Sequence, residues 1–331
     1  MDSKYDFIAL GDTVTDAFIR LKEASVHCSI NEDDCEICMR FGDKIPYEDA
    51  FVIPAVGNSA NAAVAAARLG LKSALVSDIG ADYHGEECLK VLREEKVAAD
   101  YMHVHKDAKT NYHYVLWYES ERTILIKHEK YDYALPDIGS PRWLYMSSLG
   151  EHADAYHTEI AAYLESHPEV KLAFQPGTYQ IKGGKEKFAP FYRHAEVFFC
   201  NKEEAERILG LPGGTDIKEL LKGICALGPK IAVITDGPAG AYACEGDEMW
   251  QMPSYPDPKP PYERTGAGDA FSSTFTSALA LGLSVEQALA WAPINSMSVV
   301  QQVGARAGLL TREKLEEYLK NAPAGYKAKR I

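Results

Sequence analysis

The chain has 331 residues, 46% hydrophobic and 25% charged, a balance that excludes a mostly disordered protein. Its 35 Lys and Arg against 48 Asp and Glu leave a net charge of −13, a surface that repels nucleic-acid phosphates and anionic lipid, so neither nucleic acid nor membrane is expected as a main partner. No stretch reaches the ~18 apolar residues of a membrane span; a signal peptide is not expected either, and seven scattered cysteines suit free thiols in a reducing cytoplasm better than a disulfide framework.

In chain order, Tyr5–Leu10 reads as a buried strand ending at Gly11-Asp12. Residues 17–51 lack a helical period and read as a strand-and-loop excursion. Asn58–Leu69 is an Ala-rich helix with Gly70 as its stop. A strand at Ser73–Ile79 and a helix at His84–Lys96 follow. Asn111–Tyr118 and Arg122–Lys127 pair as a hairpin. From there strands at Leu144–Ser147, Val170–Phe174, Val197–Cys200 and Ile231–Thr235 alternate with helices at Ala153–Ser166, Lys202–Leu209, Ile217–Ala226, Asp269–Ala280, Val285–Gln301 and Thr311–Leu319. Such alternation predicts an α/β protein with a mostly parallel sheet covered on both faces. The excursion and the hairpin break it, and they predict a small β appendage. Pro253–Pro261 reads as an extended surface loop.

The strongest chemical signal is Thr265-Gly266-Ala267-Gly268-Asp269, followed directly by an apolar helical stretch. Glycines let backbone approach a ligand, and a helix start aims free N–H groups and positive potential outward. That arrangement can hold a phosphoryl group, with Asp269 placed to accept a proton from an attacking hydroxyl. The same residues also describe an ordinary helix start. No Gly-x-x-x-x-Gly-Lys-Ser/Thr occurs, which excludes a P-loop, and no Gly-x-Gly-x-x-Gly follows the first strand.

Taken in order, four elements resemble the pfkB, or ribokinase-like, family of carbohydrate kinases. Val56-Gly57-Asn58-Ser59-Ala60-Asn61-Ala62 is similar to its N-terminal motif, Asn201-Lys202-Glu203-Glu204 to its Asn-x-x-Glu element, Thr235-Asp236-Gly237-Pro238-Ala239-Gly240 to its nucleotide-side loop, and Gly266–Asp269 to its C-terminal signature. The resemblance spans essentially the whole chain. It implies one catalytic domain over residues 1–331, a ribokinase-like three-layer α/β/α sandwich, with a small β-sheet lid formed by about 17–51 and 108–128. It implies Asp269 as general base and the amides of Gly266, Ala267 and Gly268 as the anion hole. Asp16, Gly57, Asn58, Asn61 and Asp12 would bind sugar. Thr235, Gly237, Gly240, Thr265, Asn295 and Gly304 would serve the nucleotide, and Asn201 with Glu204 would organise Mg²⁺ through water. Read without the resemblance, Asn201 and Glu204 are a helix cap and a first-turn acid, and Asn295 is a polar surface residue. ATP and Mg²⁺ are the implied cofactors, with K⁺ at Glu263 as a further one. A homodimer through the lid is the implied assembly.

The acceptor stays open among a sugar, a nucleoside and a sugar phosphate. A sugar- or nucleotide-binding regulator without turnover is the remaining alternative. Glu263-Arg264-Thr265 replaces the usual Asp-Thr-Thr before the anion hole, and Gln175-Pro176-Gly177 stands where Asp-Pro-Asn is common. Arg122, Lys127 and Arg264 are candidate clamps for a substrate phosphate. Tyr112, Tyr114, Trp117 and His128 belong to the lid hairpin or its hinge, with cross-strand packing the simpler role for the aromatics. Cys35 and Cys38, with His27 or Cys28, have partial zinc spacing, but free thiols fit better.

Overall fold

A computed structural model describes residues 4–28, 35–119 and 121–331. Seven parallel strands form the centre of a ten-stranded sheet. Their order is Ile231–Thr235, Ala195–Asn201, Lys171–Phe174, Trp143–Met146, Phe7–Leu10, Ser73–Gly80 and Ala98–His105. Ala241–Glu245, Glu248–Met252 and Lys329–Arg330 extend one edge antiparallel. The central strands are apolar without alternation because helices cover both faces: every residue of Phe7–Leu10, Ser73–Gly80 and Trp143–Met146 is buried.

Two cores result, one on each side. On one side Asn58–Arg68, Ala267–Ala280 and Val285–Val299 pack through Ala, Phe and Leu side chains. On the other, Asp154–Ser166, Ala189–His194, Lys202–Leu209 and Ile217–Cys225 do the same. This is the expected three-layer α/β/α sandwich.

A separate four-stranded sheet runs Tyr47–Val56, Val14–Leu21, Asn111–Tyr118 and Glu121–Leu125. It begins at Val14, earlier than residue 17, because only Gly11 to Thr13 separate it from the first central strand. One face carries Asp16, His113, Arg122 and Ile124 toward the central sheet's cleft. The other carries the register row Val52, Ala17, Tyr114 and Leu125 outward. Arg20 joins this sheet to the body: its guanidinium lies 4.7 Å from the Trp117 ring centre, and Nη1 donates to the Tyr262 hydroxyl at 2.9 Å. Trp117 is fully buried, in line with a packing role.

Several elements were not foreseen. Ala98–His105 is an edge strand whose exposed Asp100 and His103 hide its alternation. The hairpin Ala241–Glu245 and Glu248–Met252 turns on Gly246-Asp247, a two-residue signal that was readable. The short helices Thr178–Gly183 and Ala189–His194 lack enough length to show a period. The cysteine expectation is corrected: Cys28 pairs with Cys35 and Cys225 with Cys244, leaving Cys38, Cys88 and Cys200 free. Cys28 and Cys35 face each other at the last register pair of the hairpin Ser25–Cys28 and Cys35–Cys38, so neither thiol is left for zinc. Residues 29–34 of the excursion lie outside the described residues. Among the described residues, no helix is long and apolar enough to cross a membrane.

Candidate active site

The C-terminal ends of the parallel strands, the second sheet and the start of the helix Ala267–Ala280 enclose a cleft of about 450 Å³. Gly266 precedes that helix at φ 82°, and a Cβ there would sit 2.2 Å from the Ala305 side chain, so only glycine fits. The first intrahelical bond runs from Ala270 N–H to Gly266 O, so the amides before it have no helical acceptor. Ala267 and Gly268 line the cleft with Asp269.

Asp269 is held by three side-chain amides. Asn58 Nδ2 donates to Oδ1 at 2.9 Å, Gln175 Nε2 to Oδ1 at 3.2 Å, and Asn61 Nδ2 to Oδ2 at 2.8 Å. Asn58 and Asn61 are three residues apart and share the face of the helix Asn58–Arg68 that meets Asp269. Both were assigned to the sugar; the structure sets their amide nitrogens on the carboxylate. Burial pushes the Asp269 carboxyl above the usual carboxylate range, against the pull of the Asn61 and Gln175 donors and the Arg122 charge. Gln175 was missed as a ligand of this group. Its own oxygen accepts from Tyr145 and from Ser272 Oγ at 3.1 Å, which fixes its amide toward Asp269. The readable signal was a polar residue directly after the apolar strand Lys171–Phe174.

At the other end lie Asp12 and Asp16. Asp12 Oδ1 accepts from the Tyr133 hydroxyl at 2.8 Å, and Oδ2 accepts from Gly150 N–H at 2.8 Å. His128 Nδ1 stands 3.0 Å from Oδ2 without the alignment of a hydrogen bond. Asp16 faces His113, Nδ1 to Oδ1 3.5 Å. Among the described residues, Asp16 Oδ1, Asn61 Oδ1, His113 Nε2 and Arg122 Nε are buried without hydrogen-bond partners, all on residues of the cleft wall, although Arg122 Nε lies 3.9 Å from Glu263 Oε1. Each such atom costs ~1–3 kcal/mol unpaired, and a ligand rich in hydroxyls would pair them. Gly57, at φ 105°, lets the chain pass Asp12: a Cβ would lie 2.7 Å from the Asp12 carbonyl oxygen.

On the remaining wall, Asn201 and Glu204 form a reciprocal helix cap, Asn201 N–H to Glu204 Oε2 2.9 Å and Glu204 N–H to Asn201 Oδ1 2.8 Å. Burial raises the Glu204 carboxyl. Thr235 and Thr265 also line the cleft. Gly237 and Gly240 shape the turn beside it, where a Cβ on Gly240 would meet the Met252 carbonyl oxygen at 2.1 Å. Glu263 is fully buried; Oε1 accepts from Thr265 N–H at 2.7 Å and from its hydroxyl at 2.5 Å, and Oε2 from Gly304 N–H at 3.2 Å. Gly304 therefore braces this loop from behind. Asn295 is not brought to the cleft wall. It is buried between helices, Nδ2 donating to Thr274 Oγ1 at 2.7 Å and Oδ1 accepting from Leu310 N–H at 2.9 Å. Arg264 reaches Glu121 of the second sheet at 3.5 Å. Lys127 is exposed and paired with Glu129 at 2.7 Å.

Residues 21–312 match the model of the pfkB family carbohydrate kinases. The ribokinase of Bacillus subtilis is 30% identical over 269 residues, 80% of this chain and 87% of that protein. The ATP-dependent 6-phosphofructokinase of Thermoanaerobacterium thermosaccharolyticum is 25% identical, covering 92% of this chain and 90% of its own. Among solved structures, Arabidopsis thaliana ribokinase complexed with ribose and ATP superposes with TM-score 0.79 at 19% identity, covering 96% of this chain and 99% of that one. The nucleoside kinase of Methanocaldococcus jannaschii does so with TM-score 0.75 at 18% identity, over 96% and 99%.

Proposed function

The chain belongs to the pfkB family of carbohydrate kinases, and on that footing we propose that it carries the γ-phosphoryl group of ATP to a hydroxyl of a small sugar, with Asp269 accepting the hydroxyl proton. ATP-dependent transfer to an alcohol acceptor follows from the family. The observation that carries the assignment to Asp269 is its carboxylate, fixed by Asn58, Asn61 and Gln175 beside a helix start with free amides.

Oδ2 has one protein donor, so it can also accept a bond from the acceptor hydroxyl. As the new oxygen–phosphorus bond forms, the proton passes to Asp269 and the bond to the ADP oxygen breaks. The amides of Gly266, Ala267 and Gly268 hold the charge on the moving group, an electrostatic role suited to phosphoryl transfer. Mg²⁺, when bound, neutralises phosphate charge. Glu204 and Asn201 fit it through water, because Mg²⁺ keeps most of its waters and takes few protein ligands. Glu263 Oε1 already accepts two bonds from Thr265, whereas Oε2 has one donor, Gly304 N–H, so a K⁺ at this position would be held through Oε2. Thr235, Gly237 and Gly240 flank the nucleotide; Asn295 and Gly304 act behind that wall. Asp12, Asp16 and Gly57 form the sugar end.

We treat the chain as one catalytic domain with the second sheet as its lid, now bounded by residues 14–56 and 111–125. Arg264 and Glu121 meet across the cleft and favour the closed position. The outward row Val52, Tyr114 and Leu125 is about half exposed at each residue, which supports a homodimer through the lid. A cytoplasmic location rests on the need for ATP, not on the cysteines. One observation favours a second acceptor class: Arg122 lines the cleft with its Nε lacking a hydrogen bond among the described residues and only the long 3.9 Å ion pair to Glu263 Oε1, so a sugar phosphate would give it a closer anionic partner.

The test is ATP consumption against pentoses, hexoses, their monophosphates and nucleosides with Mg²⁺, beside Asp269→Asn. Turnover on neutral sugars, lost in the variant, supports the first acceptor. Turnover on monophosphates alone moves the assignment to the second. Turnover unaffected by the substitution overturns the role of Asp269.

A further inference from the structure

Away from the cleft, Asp78, His103 and His105 bring three metal-ligating atoms within 4.8 Å of one another. In the parallel pairing of Ser73–Gly80 with Ala98–His105, Asp78 stands opposite His103 and Gly80 opposite His105. His103 and His105 are two residues apart on one strand and share a face. Gly80 offers no side chain there, so the His105 ring can reach back. Its Nε2 lies 2.7 Å from Asp78 Oδ1, and His103 Nδ1 lies 3.5 Å from the same oxygen.

Asp78 is 4% exposed, and among the described residues its ion-pair partners are these two imidazoles. The His105 ring is fixed by stacking on Tyr131, centroids 4.8 Å apart. The His103 side chain is exposed, and beside it opens a cavity of about 280 Å³ that Asp78 also lines. Access from solvent and an anchored buried carboxylate therefore coincide.

We propose that Asp78, His103 and His105 form a binding site for a divalent transition-metal ion, Zn²⁺ foremost. Zinc bonds of ~2.0–2.2 Å at tetrahedral angles put neighbouring ligand atoms ~3.3 Å apart. The 2.7 and 3.5 Å separations from Asp78 Oδ1 bracket that spacing, and the two imidazole nitrogens lie within 4.8 Å of each other, so ligation needs side-chain rotation that brings the exposed His103 ring in. Two imidazoles and one carboxylate suit Zn²⁺, Co²⁺ or Ni²⁺; Mg²⁺ and Ca²⁺ prefer oxygen sets. The fourth position falls to water on the solvent side. Such an ion ties the outermost parallel strand to its neighbour. Through His105 it also steadies Tyr131, which packs edge-on against Tyr133, whose hydroxyl donates to Asp12.

The test is a titration of the untagged full chain, without nucleotide, by Co²⁺ followed through its d–d absorption and by Zn²⁺ in calorimetry. One equivalent is expected per chain. His103→Ala and His105→Gln should each weaken binding by roughly tenfold or more, since even losing a ligand's supporting partner costs ~10–100-fold. Zn²⁺ should raise the Tm of the wild type and not of His103→Ala, whose exposed side chain makes loss of folding an unneeded explanation. If the wild type binds no ion, or His103→Ala binds equally tightly with the same spectrum, the cluster is an Asp–His hydrogen-bond pair at a sheet edge and the proposal fails.

Discussion

Replacing Asp269 with asparagine removes the proposed proton acceptor and changes almost nothing in shape. General-base catalysis contributes ~10²–10⁴-fold, or about 2.7–5.4 kcal/mol of barrier at ~1.36 kcal/mol per tenfold. Three amides already donate to this carboxylate, so a new NH₂ group would face donors. Asn61 relieves that conflict, because its Oδ1 is buried and unpaired and a flip of its amide presents an acceptor. Stability should not fall. Burial raises the Asp269 carboxyl above its unfolded value despite its donors, so the charged form weighs against folding at every pH above the raised value. A neutral asparagine escapes that cost, and the variant's Tm should equal or exceed the wild type's at neutral pH. The assay is ADP release at saturating ATP and acceptor, with nucleotide binding by calorimetry and Tm by scanning fluorimetry. A kcat within a few-fold of wild type, in a variant that binds ATP normally, would refute the argument. So would a Tm that drops while Asn61, Asn58 and Gln175 stay in place.

Three further outcomes are expected. Asn61→Ala removes a donor that favours the ionised base, so the acid limb of kcat/KM should move to higher pH; a limb that stays fixed assigns it to another group. Gly266→Ala must place a side chain at φ 82° against Ala305, and left-handed strain of ~1–2 kcal/mol plus overpacking of ~1–3 kcal/mol should lower Tm and turnover together. Unchanged denaturation and kinetics in that variant would show that the loop relaxes freely. Burial among Phe188 and Phe191 lowers His157 to about 4, below its ordinary 6.5. Its contribution to stability is therefore complete above about pH 6.5 and disappears as pH falls toward 4, worth up to ~3 kcal/mol. His157→Gln should flatten the acid side of a Tm–pH curve, and a curve as steep as the wild type's would place that sensitivity elsewhere.

The layered sandwich was legible because its parallel strands are apolar runs between turn residues and its helices carry wide apolar faces. Lys202–Leu209 was readable to the residue, since Asn201 and Glu204 make a cap visible in four letters. The edge strand Ala98–His105 was not, because solvent on its margin removes the pressure for alternation. Asp269 could be singled out from its glycines, but its coordination could not. The bonds from Asn58 and Gln175 span 211 and 94 residues, and only the folded sheet brings them together. Asn295 misled for a related reason: its partners, Thr274 on another helix and Leu310 on a later loop, satisfy it where no local pattern shows. The cysteines misled because pairing depends on which strands adjoin, and Cys28 meets Cys35 only through a hairpin.

The strand Tyr47–Val56 crosses the outer sheet and passes through Gly57 straight into the helix that bears Asn58 and Asn61. An edge strand of the second sheet thus runs straight into the helix whose Asn58 and Asn61 hold Asp269, with no slack between them. For anyone reshaping this enzyme's selectivity, that continuity divides the second sheet into two territories. Ile124 and Ile126 project into the cleft from a strand and segment that do not touch Asp269, and they are the positions to randomise. A single insertion between Ala55 and Asn61 would instead rotate two amides off the carboxylate, altering rate before it altered preference. Variation should therefore accumulate freely at Ile124 and Ile126 and scarcely at all in those seven residues.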